Sequence, residues 1–206
     1  MTAKQRILAR LQSARGGSRL PRVESPALQA QVPQSAEACR VRFEVEAAAL
    51  GVECYVESSV AGVHVRLAKL IDARRVLSWD PAQLPYAAGG FLRAPIQGTA
   101  GRTEQATAEI GVTGCDAAVA ETGSLVMFSG PGRSRTISLL PPFHVALVDR
   151  ANILFSMADV FERYRERIRA SASCTFITGP SRTADIELTL TLGIHGPGRV
   201  AVIIGP

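Results

Sequence analysis

Residues 111–149 read GVTGCDAAVAETGSLVMFSGPGRSRTISLLPPFHVALVD, a series of short apolar runs separated by turns rich in glycine and proline. Runs of this length with such boundaries are typical of buried β-strands. We therefore predict strands at 117–120, 125–128, 136–140 and 145–148. The segment 129–132, Ser-Gly-Pro-Gly, predicts a hairpin turn. Arg133 and Arg135, which follow it, are expected to be solvated.

Glu121 lies at the end of the first of these strands, and Thr122, Gly123 and Ser124 follow it. A carboxylate between two buried strands needs a partner, because carboxylates are rarely buried alone. Two interpretations stay open. Glu121 either accepts backbone N–H groups or pairs with an arginine, or it faces a ligand as a base, a nucleophile or a hydrogen-bond acceptor.

The composition excludes several classes of protein. The 206 residues include 23 Lys and Arg against 18 Asp and Glu, but the basic residues are spread along the chain and aromatics make up only 5%. This pattern does not favour nucleic-acid binding. The four cysteines have no C-x-x-C spacing and no histidine nearby, so we expect neither a zinc site nor an iron–sulfur cluster built by this chain alone.

No apolar run has the length of a signal peptide core or of a membrane span. We therefore expect a cytoplasmic protein with reduced thiols. A basic amphipathic helix is predicted at 3–15, and a Pro-rich linker at 16–35. These give an N-terminal helix and arm at 1–35, followed by a single α/β domain at 36–206.

Helical and strand patterns alternate within this domain. Ser35 is suited to cap a helix that ends at Gly51, and Ser58 or Ser59 is suited to cap the next one, which ends near Ile71. The remaining predicted elements are strands at 52–56, 75–79, 174–178 and 200–204, a short helix at 103–110 and a charged helix at 156–170. This rhythm is typical of an α/β sheet.

A second informative stretch, GPSRTADIE at 179–187, follows the predicted strand 174–178 and precedes an apolar run that we predict to be helical. Ser181, Arg182 and Thr183 at a helix N-terminus could bind a phosphate or a carboxylate. Alternatively, Ser181 or Thr183 caps the helix, Asp185 complements its dipole, and Arg182 pairs with a carboxylate such as Glu121 or Asp185.

Two histidines are further candidates for the site. His144 begins a predicted strand, and it is either a structural histidine or a pocket histidine near Glu121. His195 lies in the loop Ile194–Gly198, which is rich in Gly and Pro, so it has no evident role in a core.

Three segments together resemble the LUD-domain family, in its lactate-utilization protein C group: GVTGCDAAVAETGSLVM, SLLPPFHVALV and TGPSRTADIELTLTLGIHGPGRVAVIIG. The resemblance implies a mostly parallel sheet with helices on both faces, similar to sugar-phosphate isomerases, CoA transferases and formyltetrahydrofolate cyclo-ligases. It also implies a bacterial cytoplasmic protein tied to the oxidation of L-lactate to pyruvate, in which sister proteins carry the iron–sulfur clusters. Glu121-Thr122-Gly123 resembles the Glu-x-Gly setting of the nucleophile in CoA transferases.

The resemblance implies a cluster-free subunit or accessory protein of a lactate-oxidising iron–sulfur system, and the residues of the two motifs predict a pocket for a small anionic metabolite. No cofactor motif is present, so the cofactor is left open. The alternative is a stand-alone isomerase, transferase or ligase acting on a small phosphorylated or acylated metabolite. The predicted catalytic residues are Glu121, His144 and His195. The predicted substrate-binding residues are Thr122, Gly123, Ser124, Ser181, Arg182, Thr183 and Asp185.

Overall fold

The computed structural model describes residues 2–15, 35–184 and 190–206. The chain divides into two compact units, Met1–Pro33 and Gln34–Pro206. In the first unit, helix α1 spans Ala3–Arg15, as the sequence predicted. The predicted Pro-rich arm falls largely on residues 16–34, outside the described part of the chain, and it stays a prediction.

The second unit alternates strands and helices. Its helices are α2 (Ala36–Ala49), α3 (Val60–Ile71), α4 (Arg102–Gln105), α5 (Met157–Arg163) and α6 (Arg165–Ala170). Its strands are β1 (Glu53–Val56), β2 (Val76–Ser78), β3 (Ile96–Gln97), β4 (Ile110–Gly114), β5 (Ala117–Val119), β6 (Ser124–Phe128), β7 (Phe143–Asp149), β8 (Ile153–Leu154), β9 (Cys174–Ile177), β10 (Arg182–Ala184), β11 (Leu190–Leu192) and β12 (Arg199–Gly205).

A six-stranded sheet forms the centre of this unit, with the strand order β1-β12-β7-β4-β2-β3. Every neighbouring pair in it is parallel. Its long central strands β7 and β12 are buried along almost their whole length, which explains their continuous apolar sequences. The predicted α/β class with a mostly parallel central sheet is therefore confirmed.

A second sheet, with the order β8-β5-β6-β9, forms an additional layer that the sequence did not indicate. Its side chains alternate between two cores, as the pleat of a strand requires. Ala118, Leu125 and Met127 join the main core, whereas Val119 and Phe128 pack with Val160 of α5 in a smaller core. This sheet therefore lies between the main core and the pair α5 and α6.

Two predicted helix starts are confirmed. The Ser35 side chain accepts the Ala38 N–H at the start of α2, and the Ser59 side chain accepts the Gly62 N–H at the start of α3. Gly51 follows α2 with a φ of 85°, the left-handed region that glycine adopts without strain.

Several elements differ from the predictions. The segment 136–140 is not a strand: Arg135–Ser138 forms a 3-10 turn, with Ile137 buried but Leu139 and Leu140 about half exposed. Because no strand follows it, the turn at 129–132 closes only an isolated bridge between Gly130 and Arg133. The predicted helix at 103–110 is limited to α4, because Ile110 already pairs with Val76 of β2.

The charged segment 156–170 is two helices rather than one. Tyr164 interrupts it with φ −110° and ψ 18°, and its hydroxyl donates to the Asp116 carbonyl at 2.8 Å. A tertiary contact therefore sets this break. None of the helices in the described ranges is both long enough and apolar enough to cross a membrane.

Candidate functional site

Glu121 lies in the tight turn between β5 and β6 and is half-buried. Its Oε1 accepts the backbone N–H of Met157, the first residue of α5, at 2.9 Å, and its own N–H donates to the Phe155 carbonyl at 2.9 Å. These contacts fasten the turn to the segment that begins α5. They correspond to the structural interpretation of Glu121, in which the carboxylate accepts a backbone N–H.

The three residues after Glu121 complete this turn. Thr122 Oγ1 and Ser124 Oγ lie 2.8 Å apart, and Ser124 Oγ lies 2.8 Å from Thr178 Oγ1 at the end of β9. Gly123 has a φ of 63° and packs so closely on α2 that a Cβ would lie 2.5 Å from the Ala47 nitrogen. The close packing of Gly123 on α2 and the hydrogen bonds among the three hydroxyl groups therefore give Thr122, Gly123 and Ser124 structural roles in this turn.

The second motif does not form the predicted helix N-terminus. Arg182–Ala184 is strand β10, and it pairs antiparallel with β11, with Thr183 opposite Thr191. Asp185 lies outside the described residues. Residues 182–184 are extended rather than helical, so the set of free amides that a helix start presents is not formed there.

The other residues of this motif have local partners. The exposed Arg182 side chain donates from Nη2 to the Leu50 carbonyl at the end of α2. The Ser181 hydroxyl accepts the backbone N–H of His195 at 3.4 Å, and the His195 side chain is exposed. No ion pair joins Arg182 to Glu121, although both belong to the described part of the chain.

His144 is fully buried on β7, and its Nε2 lies 2.8 Å from Thr113 Oγ1 on β4. Its Nδ1 has no hydrogen-bond partner among the described residues. Burial lowers the pKa of His144 from 6.5 to about 4, because the charged imidazolium cannot be solvated there. The ring is therefore neutral at pH 7, and its hydrogen-bond partner is Thr113 rather than Glu121.

The structure thus brings the described parts of the two motifs to one place, where Glu121, Ser124 and Arg182 each have a hydrogen-bond partner within the protein. Gly123 packs on Ala47, while Gly179 and Arg182 approach Leu50, so both motifs flank the C-terminal end of α2. His144 is separate from them in its contacts. That the predicted site residues bind a substrate stays a prediction.

A cleft of about 410 Å³ lies elsewhere, beyond the carboxyl ends of β2 and β4. The residues that line it include Trp79, Gln83, Asp116, Arg133, Tyr164 and Arg167. In sheets of parallel strands, ligands bind in crevices outside the carboxyl ends of the strands. A larger groove of about 840 Å³ lies at the opposite, amino ends of β2 and β3, where this rule gives no expectation of a ligand.

Asp116 is the centre of the charged network in this cleft. Only 5% of its side chain is exposed, and its Oδ1 lies 2.7 Å from both Arg133 Nη1 and Arg167 Nη2. Its Oδ2 accepts the Phe128 N–H at 2.8 Å. The carboxylate is therefore fully satisfied, and it holds two arginines that are far apart in sequence.

Other contacts fix the two guanidinium groups. Arg133 donates from Nε to Gln83 Oε1 at 3.0 Å and lies 4.9 Å above the Trp79 ring. The expectation that Arg133 is solvated is therefore wrong, because only 20% of its side chain is exposed. Arg167 lies 5.1 Å above the Phe128 ring, where a cation–π contact is favourable.

Cys115 borders the same cleft without being suited to nucleophilic chemistry. Burial raises the pKa of its thiol to about 12, and Sγ donates to the Ala117 carbonyl at 2.7 Å. Since the thiolate is the nucleophilic form, this thiol is unreactive at neutral pH. Within the described residues, no three His, Cys, Asp or Glu side chains gather into a possible metal-binding group.

Comparison with known proteins identifies the family of this chain. The profile of the LUD domain matches residues 24–204. A protein from Exiguobacterium sp. named lactate utilization protein C is 41% identical over 101 residues, which are 47% of this chain and 44% of that protein. A protein of the same name from Shouchella clausii is 32% identical over 146 residues, 66% of this chain and 64% of that one.

The chain belongs to the LUD domain family.

A solved structure supports the same assignment for this LUD domain. The crystal structure of a DUF162 family protein from Deinococcus radiodurans matches with a TM-score of 0.66 and 25% identity, and it covers 84% of this chain and 100% of that one. This chain matches only part of the two lactate utilization proteins: 44% of the length of the Exiguobacterium protein and 64% of the length of the Shouchella clausii protein.

Sequence reasoning missed the charged network of this LUD domain. Asp116 precedes the predicted strand 117–120, so the argument that selected Glu121, a carboxylate at the end of a buried strand, did not apply to it. Its partners carried no signal either. Arg133 follows a turn and Arg167 lies on a helix with charges all around, so nothing local marks either one as part of a shared site.

Proposed function

We propose that this LUD-domain chain serves bacterial lactate utilization in the cytoplasm. It acts as a cluster-free subunit or accessory protein of an iron–sulfur system that oxidises L-lactate to pyruvate, and it holds a small anion. The observation that carries the proposal is the similarity to proteins named lactate utilization protein C, at 32% identity over 66% of this chain for the Shouchella clausii protein.

The oxidation of L-lactate requires an electron acceptor as well as a site that binds the substrate, and the two can lie on different proteins. Converting L-lactate to pyruvate removes two electrons and two protons from the carbinol carbon and its hydroxyl, so an electron acceptor is required. The proposal assigns the electrons to the iron–sulfur clusters of partner proteins. The four cysteines of this chain have no cluster-type spacing, which agrees with that division.

The contribution of this chain is then to bind and orient an anion. Lactate and pyruvate carry a carboxylate at neutral pH, and arginine recognises carboxylates with paired N–H donors. The structure offers arginines at two places, Arg182 beside α2 and the pair Arg133 and Arg167 in the cleft. Glu121 supports this role by fixing the start of α5, since its carboxylate is hydrogen-bonded to the backbone there.

Growth experiments test this function directly. In the organism that encodes the chain, deleting its gene should abolish growth on L-lactate and leave growth on pyruvate intact, and the restored gene should reverse the defect. Undiminished growth of the deletion strain on L-lactate would reject the proposal.

A second measurement separates a subunit from a stand-alone enzyme. The tagged chain, purified from cells grown on L-lactate, should carry with it proteins that contain iron and acid-labile sulfide. The isolated chain should not reduce a dye with L-lactate as the electron donor. Turnover of a phosphorylated or acylated metabolite by the isolated chain would favour the isomerase, transferase or ligase alternative.

A further inference from the structure

The charges around Asp116 do not balance. One carboxylate faces two guanidinium groups, both within 2.7 Å of its Oδ1, so the group of three has a net charge of +1. A carboxylate that needed only structural satisfaction already has the Phe128 N–H on its other oxygen, and a single arginine would neutralise it. The second arginine adds repulsion between like charges, which a bound anion would relieve.

Both guanidinium groups also keep unused donors. Arg133 engages Gln83 through Nε and Asp116 through Nη1, and Arg167 engages Asp116 through Nη2. A guanidinium carries five N–H groups, so donors remain on each side chain for a further acceptor. The aromatic rings of Trp79 and Phe128 hold the two groups in place before any ligand arrives.

The surroundings make this excess charge accessible. Arg167 is 43% exposed and Arg133 is 20% exposed, while Asp116 lies beneath them with 5% exposed. The cleft above them has a volume of about 410 Å³, which lies in the range of pockets that hold small metabolites. The cleft also lies beyond the carboxyl ends of two parallel strands, where α/β proteins bind ligands.

We propose that this cleft binds the carboxylate or phosphate group of a small anionic metabolite between Arg133 and Arg167, with Asp116 holding both arginines in position. This assignment deepens the proposed function and rests on its anion-binding part. The proposed anion site is therefore the cleft and not Ser181, Arg182 and Thr183, where strand pairing replaces the predicted helix N-terminus.

Calorimetric titration of the purified full-length chain tests the assignment. The probes are pyruvate, L-lactate, inorganic phosphate and 3-phosphoglycerate, so that carboxylate, phosphate and their combination are compared. The native chain should bind at least one probe saturably with a stoichiometry of one. Its affinity should fall as sodium chloride is added, because salt screens the two arginines.

Two variants and one control locate the binding. Arg167→Gln should weaken the best probe about tenfold or more, since it removes a charge-assisted hydrogen bond. Arg167→Lys keeps the charge but loses the planar fork, so its affinity should lie between those of Arg167→Gln and the native chain. Arg165→Gln removes the same charge from the same helix at an exposed position without a described contact, and it should bind within about twofold of the native chain.

Three results would overturn the assignment: no saturable binding of any of the four probes, equal weakening by Arg165→Gln and Arg167→Gln, or full affinity in Arg167→Gln. A thermal melt of each variant confirms that it is folded, and partial exposure of Arg167 makes this the expected result. Failure here is distinct from failure of the proposed function. A chain that supports growth on L-lactate but binds no probe keeps its role in lactate utilization and loses both the anion-binding part of the proposal and this cleft assignment.

Discussion

Replacing His144 with glutamine should remove most of the acid sensitivity that this residue gives to the fold. The imidazole is fully buried, and its pKa of about 4 lies below the ordinary value of 6.5. Between these two values the unfolded chain binds a proton that the folded chain does not. The stability that depends on the neutral form of His144 is therefore fully present above about pH 6.5, and it is lost progressively as the pH falls toward about 4.

The two pKa values fix the size of this effect. Over most of that interval the free energy of unfolding should fall by about 1.4 kcal/mol for each pH unit, which gives a loss of about 2 kcal/mol by about pH 5 and about 3 kcal/mol by about pH 4. Glutamine has no titrating group in this range, and its amide can still meet the Thr113 hydroxyl.

Urea unfolding of both proteins between about pH 7 and about pH 5 measures the difference. The absolute stability of His144→Gln is not the test, because a change of shape in the core also affects it. The test is the slope: the native chain should lose about 2 kcal/mol more than the variant over this range. Parallel curves would refute burial of a neutral histidine at this position.

Three further predictions concern the turn after β5 and the cleft. Gly123→Ala should destabilise the fold by about 2 kcal/mol or more in urea unfolding, because a Cβ at this position would lie 2.5 Å from the backbone of α2 and the φ is 63°. Gly130→Ala is the control: a Cβ at Gly130 would meet no atom within 4 Å, so this variant should change stability by under about 0.5 kcal/mol. Glu121→Ala should cost about 1 kcal/mol by removing the acceptor for the Met157 N–H, while Glu121→Gln should cost much less, and equal losses would contradict this contact. Cys115 should resist alkylation by iodoacetamide at about pH 8 in the folded chain and react after unfolding, because burial raises the pKa of its thiol to about 12. Peptide mass spectrometry measures the extent of labelling in the folded and the unfolded chain. Rapid labelling of Cys115 in the folded chain would contradict this prediction.

The local sequence determined the elements whose causes lie within a few residues. Ser35 and Ser59 cap their helices as predicted, and Gly51 ends α2. The apolar runs at 145–148 and 200–204 predicted buried strands, and these runs lie within β7 and β12. The family also follows from the sequence, because its motifs are contiguous.

Tertiary structure alone decided the arrangement of the polar side chains. Glu121 and Asp116 are both carboxylates that follow buried strands, yet one fastens the start of α5 and the other holds two arginines. Arg133 and Arg167 meet on Asp116 only because α6 packs on the face of the second sheet, and no local pattern encodes that contact. Interactions between residues distant in the chain depend on how layers pack, whereas capping and strand periodicity depend on neighbours in sequence.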